Sequence, residues 1–140
     1  MSGLKLAIVT GLMMVGFAGV SHADSRCAKI DENLSYGLKT WSALHSAYIR
    51  FRQCDDGALA EGFSEAVARL MIDHWADLPQ ALPLFRSDRA FENWAVRHID
   101  QTVSFEDSMK IEGLAEKSCP AGAQRLCDQL VAALKPVPAC

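Results

Sequence analysis

Apolar residues recur every three or four positions along most of the chain, which is the spacing of α-helices that bury one side. The first stripe predicts a helix from about Leu34 to Arg52, with Asn33 or Ser35 as the residue that caps its start. The apolar positions of that stripe are Leu34, Leu38, Trp41, Leu44, Tyr48 and Phe51.

The run Asp55-Asp56-Gly57 interrupts this pattern, and a second helix is expected directly after it. Either aspartate can accept hydrogen bonds from the free N–H groups at the start of that helix. Its apolar stripe continues to Leu78, where Pro79 is expected to end it. Its other side carries charges of alternating sign at steps of four, which predicts a solvated ladder of ion pairs: Glu65, Arg69, Asp73 and Asp77.

Three further helices are predicted, over residues 89–100, 105–116 and 120–134. Asp88 and Ser104 are suited to cap the first two, and Pro120 is suited to the first position of the last. Pro79 and Pro83 bracket a short turn between the second and third helices, Gln80 to Phe85, for which a single helical turn is the alternative. Since no stretch shows the period-two alternation of a strand, the sequence predicts an all-α, compact bundle of about five helices.

Residues 1–23 read as a secretory signal peptide. Lys5 supplies the positive start, Leu6 to Val20 the apolar core, and Ser21-His22-Ala23 the small residues before cleavage. We therefore expect a single helical domain over residues 24–140, located in the periplasm or secreted, with no membrane attachment after cleavage.

Charge narrows the classes of partner. The chain has 14 Lys and Arg against 17 Asp and Glu, so its net charge is −3, and loss of Lys5 with the signal peptide makes it −4. An acidic protein is repelled by nucleic acid and by anionic lipid. No nucleic-acid partner is expected.

All five cysteines follow the predicted cleavage site, which favours disulfides in an oxidising compartment. A helix that began at Pro120 would hold the Cα atoms of Cys119 and Cys127 about 12 Å apart, too far for a bridge. Each is therefore expected to pair with Cys27 or Cys54, unless residues 120–123 loop back instead. Cys140 is predicted to be the unpaired cysteine.

Asp55, Asp56 and Glu61 form a candidate ligand site, because several carboxylates lie beside a flexible glycine. The spacing matches no calcium loop, and a helix cap explains the aspartates as well. His45, His74 and His98 lack metal-binding spacing. His74 and His98 lie on otherwise apolar helix faces, so each is expected to bond a carbonyl or a carboxylate. No G-x-S-x-G elbow is present. No metal, cofactor or catalytic residue is therefore indicated.

A partner-binding surface is the remaining candidate. Tryptophan is common at the energetic centres of interfaces. Apolar residues in a short proline-bracketed turn can remain exposed, and an exposed apolar patch marks a partner surface. The residues predicted to form this surface are Trp75, Leu82, Leu84 and Phe85.

The run from Cys54 to Ser64, together with His74-Trp75 and the later Cys119-Pro120, resembles a group of small uncharacterised exported proteins of Gram-negative bacteria. The resemblance implies an envelope location and no activity. In format alone, as a small, exported, helical and disulfide-bonded chain, the protein also resembles periplasmic immunity proteins.

Two functions follow as hypotheses. The first is a periplasmic protein that acts by binding an envelope partner, as an inhibitor or immunity protein does. The alternative is a metal-binding or hydrolytic envelope enzyme that uses Asp55, Asp56 and Glu61 with a histidine brought close by folding.

Overall fold

A computed structural model describes Cys27, residues 37–99 and residues 103–135 of the chain. The predicted signal peptide and Cys140 lie outside these residues. Six α-helices make up the fold: α1 Trp41–Phe51, α2 Gly57–Asp73, α3 Leu78–Ser87, α4 Arg89–Arg97, α5 Phe105–Lys117 and α6 Gln124–Leu134. The all-α prediction is confirmed, with six helices in place of about five.

The extra helix, α3, occupies the stretch predicted to be a short proline-bracketed turn. Pro79 lies in its first turn, where a backbone N–H has no partner within the helix, so its ring costs little there. Pro83 lies inside the helix and removes one backbone hydrogen bond. Burial of four apolar side chains offsets that loss: Leu78, Ala81, Leu82 and Phe85.

Helix starts follow the predicted caps in three cases. The side chains of Asp56, Asp88 and Ser104 accept hydrogen bonds from backbone N–H groups in the first turns of α2, α4 and α5. The bounds of the first two helices differ from the predicted ones. The first helix begins at Trp41, after a Thr40 cap that accepts from the N–H of Ala43, so residues 37–40 are not α-helical. The second helix ends at Asp73 and not at Leu78.

The disulfides join Cys27 to Cys54 and Cys119 to Cys127, with Cα–Cα distances of 5.4 and 6.2 Å. The expectation that Cys119 and Cys127 would pair elsewhere is therefore wrong. Its premise was a helix that began at Pro120, whereas α6 begins at Gln124. Residues 120–123 turn back on themselves, with Gly122 at φ 81°, and that turn brings the two sulfurs together.

The core lies where α1, α3 and α4 meet α2, and it is rich in aromatic rings. Tyr48, Phe91 and Trp94 contact one another with ring centroids 5.1–5.9 Å apart. Trp41 packs edge-on against Phe85, at 5.3 Å between centroids. Helices α5 and α6 form a hairpin, and α5 also packs along α2. No helix within the described residues has the length and hydropathy of a membrane span.

Candidate functional site

A buried chain of hydrogen bonds connects Asp55, His98 and Ser64. His98 Nδ1 lies 2.8 Å from Ser64 Oγ, and His98 Nε2 lies 2.9 Å from Asp55 Oδ2. The indole N–H of Trp94 donates to the same oxygen of Asp55, at 2.6 Å between Nε1 and Oδ2. Because a carboxylate only accepts, Nε2 of the imidazole carries a proton, and a neutral ring then accepts the Ser64 hydroxyl at Nδ1.

Three separate elements hold these groups in place. Asp55 directly follows Cys54, which the disulfide to Cys27 anchors. Ser64 lies within α2, and His98 follows the last turn of α4. The His98 ring packs against that of Trp94, at 4.4 Å between centroids, so aromatic contacts fix its orientation.

The order of donation from serine to histidine to aspartate is that of an activated nucleophile. Ser64 is only 4% exposed, and it borders a pocket of about 330 Å³ that Glu61, Glu65 and Val103 also line. Ser64 lies in the interior of α2, where backbone N–H groups donate to helix carbonyls and are not free to stabilise an oxyanion. The described residues thus provide the hydrogen bonds of a nucleophile and its base, and α2 itself leaves no free backbone N–H group beside Ser64 for an oxyanion.

The predicted ligand residues Asp55, Asp56 and Glu61 do not converge. Asp55 turns inward toward His98 and Trp94, whereas Asp56 is exposed and caps α2. Glu61 lies on the exposed side of α2 at the mouth of the 330 Å³ pocket. Within the described ranges, no cluster of three or more His, Cys, Asp or Glu side chains is arranged to hold a metal ion.

All three histidines of the described chain contact an aspartate. A carboxylate was one of the two partners predicted for His74 and His98, the other being a carbonyl. His45 pairs with Asp88 at 3.0 Å, His74 pairs with Asp77 at 3.2 Å, and His98 bonds Asp55. Sequence reasoning anticipated the carboxylate partners as a class. It missed Ser64, because a single serine in an amphipathic helix carries no signal of its bonding.

The predicted partner surface is not an exposed patch. Trp75, Leu82 and Phe85 are buried, and Leu84 is partly buried. The reason is that residues 78–87 form a helix whose apolar side packs on α1, so the turn that would have exposed them does not exist. The Trp75 indole also donates to the carbonyl of Ser118, 2.9 Å away, which fixes it against the α5–α6 turn.

Exposed apolar residues occur elsewhere, at the start of α5. Phe105 is 83% exposed, and Met109, one helical turn later, is 53% exposed. In the sequence, Phe105 and Met109 are already out of phase with the helical spacing of Ile111 and Ala115, which are the buried residues of α5. That irregularity was the signal for an exposed pair. The remaining large exposed apolar residue of the described chain, Ile49, lies on α1 and is 56% exposed.

The start of α5 is joined to the charged side of α2 by an ion pair. Arg69 of α2 contacts Asp107 of α5, at 2.6 Å between Nη2 and Oδ2, and also approaches Glu65 and Asp73. The Arg69 guanidinium holds the pKa of the Asp107 carboxyl below its usual range, chiefly through that hydrogen bond. Arg69 thus connects the predicted ladder on α2 to a second helix. Asp77, predicted as a member of that ladder, instead lies beyond the end of α2 and pairs with His74.

A groove of about 560 Å³ runs along α2 on the same side. Its floor is apolar, formed by Leu38, Ala66 and Leu70, and its rim is charged. Glu65 borders both this groove and the 330 Å³ pocket, so the two depressions are neighbours on one face.

No protein-family model, curated protein or solved structure matches the chain in comparisons with known proteins.

Proposed function

We propose that this is an exported protein that acts by binding a protein partner in the cell envelope, without turnover, as an inhibitor or immunity-type protein does. The observation that carries the proposal is the exposure of Phe105 and Met109 at the start of α5. These two residues replace the four that the sequence suggested for the binding surface.

The energetics of exposure support a role in recognition. Burial of a Phe or Met side chain stabilises a structure by about 1.5–3 kcal/mol, and a solvent-facing Phe forgoes most of that. Aromatic side chains that insert into a partner's pocket are common energetic centres of interfaces. A partner that covered both side chains would recover the free energy that the isolated protein leaves unused.

Export is supported by the cysteine chemistry. Two disulfides link the described cysteines, and such bonds persist in oxidising compartments such as the periplasm or the extracellular space. The predicted signal peptide at residues 1–23 agrees with this location. The small, helical and disulfide-bonded format also agrees with that of periplasmic immunity proteins.

Site-specific photocrosslinking in the producing cell tests the proposal. Phe105→p-benzoylphenylalanine places a crosslinker on the proposed surface, and Ile49→p-benzoylphenylalanine places the same group on another exposed apolar position, in α1. We expect position 105 to give one defined adduct and position 49 to give none. Equal adducts at both positions, or no adduct at either, would contradict the proposal.

A hydrolytic enzyme is the second candidate, and the Ser64–His98–Asp55 hydrogen bonds favour it. A small fluorophosphonate tests it: Ser64 Oγ would attack phosphorus, fluoride would leave, and His98 Nδ1 would take the hydroxyl proton. Labelling of wild-type protein that is lost in both Ser64→Ala and His98→Gln would support a hydrolytic function. If wild-type protein is not labelled, the hydrolytic hypothesis loses its support and the binding hypothesis is kept.

A further inference from the structure

The charges of the described chain are segregated between its helices. Helices α2 and α5 together carry seven Asp or Glu against three Lys or Arg. The rest of the described chain carries six Asp or Glu against eight Lys or Arg. Among the described residues, the acidic excess therefore belongs to one pair of packed helices, and the remainder carries a small basic excess.

Phe105 and Met109 lie on a stripe of α5 that continues into carboxylates. Steps of four, three and four residues place Phe105, Met109, Glu112 and Glu116 along one side of the helix, and we call these four residues the α5 ridge. Both ends of the ridge meet water, since Phe105 and Glu116 are exposed. The ridge thus presents an apolar half followed by an acidic half.

Three glutamates in or beside the ridge are unpaired with the lysines and arginines that the structure describes. In the part of the chain that the structure describes, Glu61, Glu112 and Glu116 form no ion pair with Lys or Arg. By contrast, Glu106 and Asp107 are paired with Lys110 and Arg69. Glu61 lies beside the start of α5, because it shares a pocket with Val103, two residues before Phe105.

We propose that the α5 ridge, with Glu61 beside it, docks a basic protein whose apolar pocket is bordered by Lys or Arg. Phe105 and Met109 fill the pocket, and Glu61, Glu112 and Glu116 pair with the cations at its edge. The inference rests on the proposed function, for which it names the surface and the chemistry of the partner.

Charge complementarity selects this occupant over the others. A second copy of the chain would bring two acidic ridges together, and like charges oppose association. Anionic lipid and nucleic acid are repelled for the same reason. A basic protein is attracted over the distance of a Debye length, about 10 Å at 0.1 M salt, which accelerates its encounter with the ridge.

The test uses the partner identified from the position-105 adduct, expressed and purified, with Kd measured by calorimetry at 50 and 500 mM salt. Phe105→Ala should weaken binding about 30-fold at either salt concentration, as removal of an interface centre does. Glu112→Gln/Glu116→Gln should weaken it about five-fold to ten-fold at low salt and much less at high salt.

Two matched controls separate the ridge from general effects. Ile49→Ala removes an exposed apolar side chain from another helix, and Asp56→Asn/Asp77→Asn neutralises two exposed carboxylates outside the ridge. Both should bind within about two-fold of wild type, on the usual scale of residues outside an interface centre.

The outcomes distinguish this inference from the proposed function. If Phe105→Ala abolishes binding but salt and the glutamate substitutions leave the Kd unchanged, the basic-partner inference is overturned and the binding function is kept. A partner with an acidic contact surface would do the same. Absence of any adduct at position 105 would contradict both this inference and the proposed binding function.

Discussion

At the residue scale, Asp55 and Asp56 are neighbours that differ in burial and in bonding. Asp55 accepts the indole N–H of Trp94 and the imidazole N–H of His98 with one oxygen, while its other oxygen, Oδ1, is buried and has no hydrogen-bond partner among the described residues. Asp56 is exposed, and its side chain accepts from the N–H of Gly57 at the start of α2.

We predict that Asp55→Asn lowers the free energy of unfolding by about 1–3 kcal/mol, because the new amide nitrogen would be buried at the unpartnered position. Asp56→Asn should be nearly neutral, since Asn caps helices as well as Asp does. Urea denaturation of both variants checks the pair. Equal losses at the two positions would show that the buried hydrogen bonds carry no special share of stability.

Asp88 gives the fold a component of stability that depends on pH. Its hydrogen bond with His45 is the main cause that lowers the pKa of the Asp88 carboxyl, and the N–H of Phe91 adds to it. Because the pKa is lower in the folded than in the unfolded state, the stabilisation is complete above the ordinary value near 4. It is lost as the pH falls through the folded-state pKa.

Asp88→Asn should therefore lower the free energy of unfolding by about 0.5–1 kcal/mol above pH 5, the scale of a partly exposed pair. The difference from wild type should shrink below pH 4, which denaturation at several pH values would detect. In His45→Ala protein, Asp88→Asn should lower the free energy of unfolding by a smaller amount. A difference from wild type that stays constant down to pH 2 would contradict the assignment.

Individual residues also show where sequence reasoning stops. The caps at Asp56, Asp88 and Ser104 were predictable, because a cap is a contact between near neighbours in the chain. The bond between Ser64 and His98 joins residues 34 positions apart and depends on how α4 packs against α2. Tertiary packing alone determines that pairing, so the buried network could not be derived from periodicity.

At the scale of elements, two glycines of the α5–α6 hairpin have opposite requirements. Gly122 holds φ at 81° in the turn that pairs Cys119 with Cys127, a conformation that costs other residues about 1–2 kcal/mol. A Cβ there would also lie 2.9 Å from Arg86 Nη2, although that flexible side chain can move. Gly113 lies inside α5, and a Cβ there would meet nothing within 4 Å.

Gly122→Ala should accordingly lower the free energy of unfolding by about 1–2 kcal/mol, from the strained backbone. Gly113→Ala should raise it by about 0.5–1 kcal/mol, because alanine is the better helix former. Thermal unfolding of the two variants checks both signs. Stabilisation by Gly122→Ala would show that the turn is not held at positive φ.

The same hairpin explains why the partners of Cys119 and Cys127 were predicted wrongly, although all four bridged cysteines were predicted to form disulfides. The apolar stripe of α6 was read correctly, but its start was placed four residues early, at Pro120 in place of Gln124. A proline fits the first position of a helix and also a turn, so its presence did not distinguish the two. Similarly, α3 was missed because its two prolines indicate a turn locally, whereas burial of its apolar side outweighs them.

At the scale of the molecule, the fold class followed from helical periodicity, but the exposed surface did not. Periodicity identifies which side of each helix is apolar, and that information defines the core. A binding surface is defined by what the packed helices leave uncovered, which requires their arrangement. Trp75 and Phe85 were therefore assigned to the surface and Phe105 was not, and the structure reverses both assignments.

The stability of the whole molecule should depend on export. The two disulfides close loops of 27 and 8 residues, which corresponds to about 3.5 and 2.5 kcal/mol. Together they supply about 6 kcal/mol, comparable to the total stability of about 5–15 kcal/mol that is usual for a domain. The reduced chain should therefore be close to unfolding, whereas the oxidised chain is folded.

We predict that full-length protein recovered from the periplasm begins at Asp24, contains both disulfides and melts cooperatively. Protein made without residues 2–23 should remain in the cytoplasm with reduced thiols and should melt at a much lower temperature, a difference that added reductant abolishes. Intact mass with and without reductant, together with thermal unfolding, checks both forms. A leaderless, fully reduced chain as stable as the exported one would show that the helical core suffices without its disulfides.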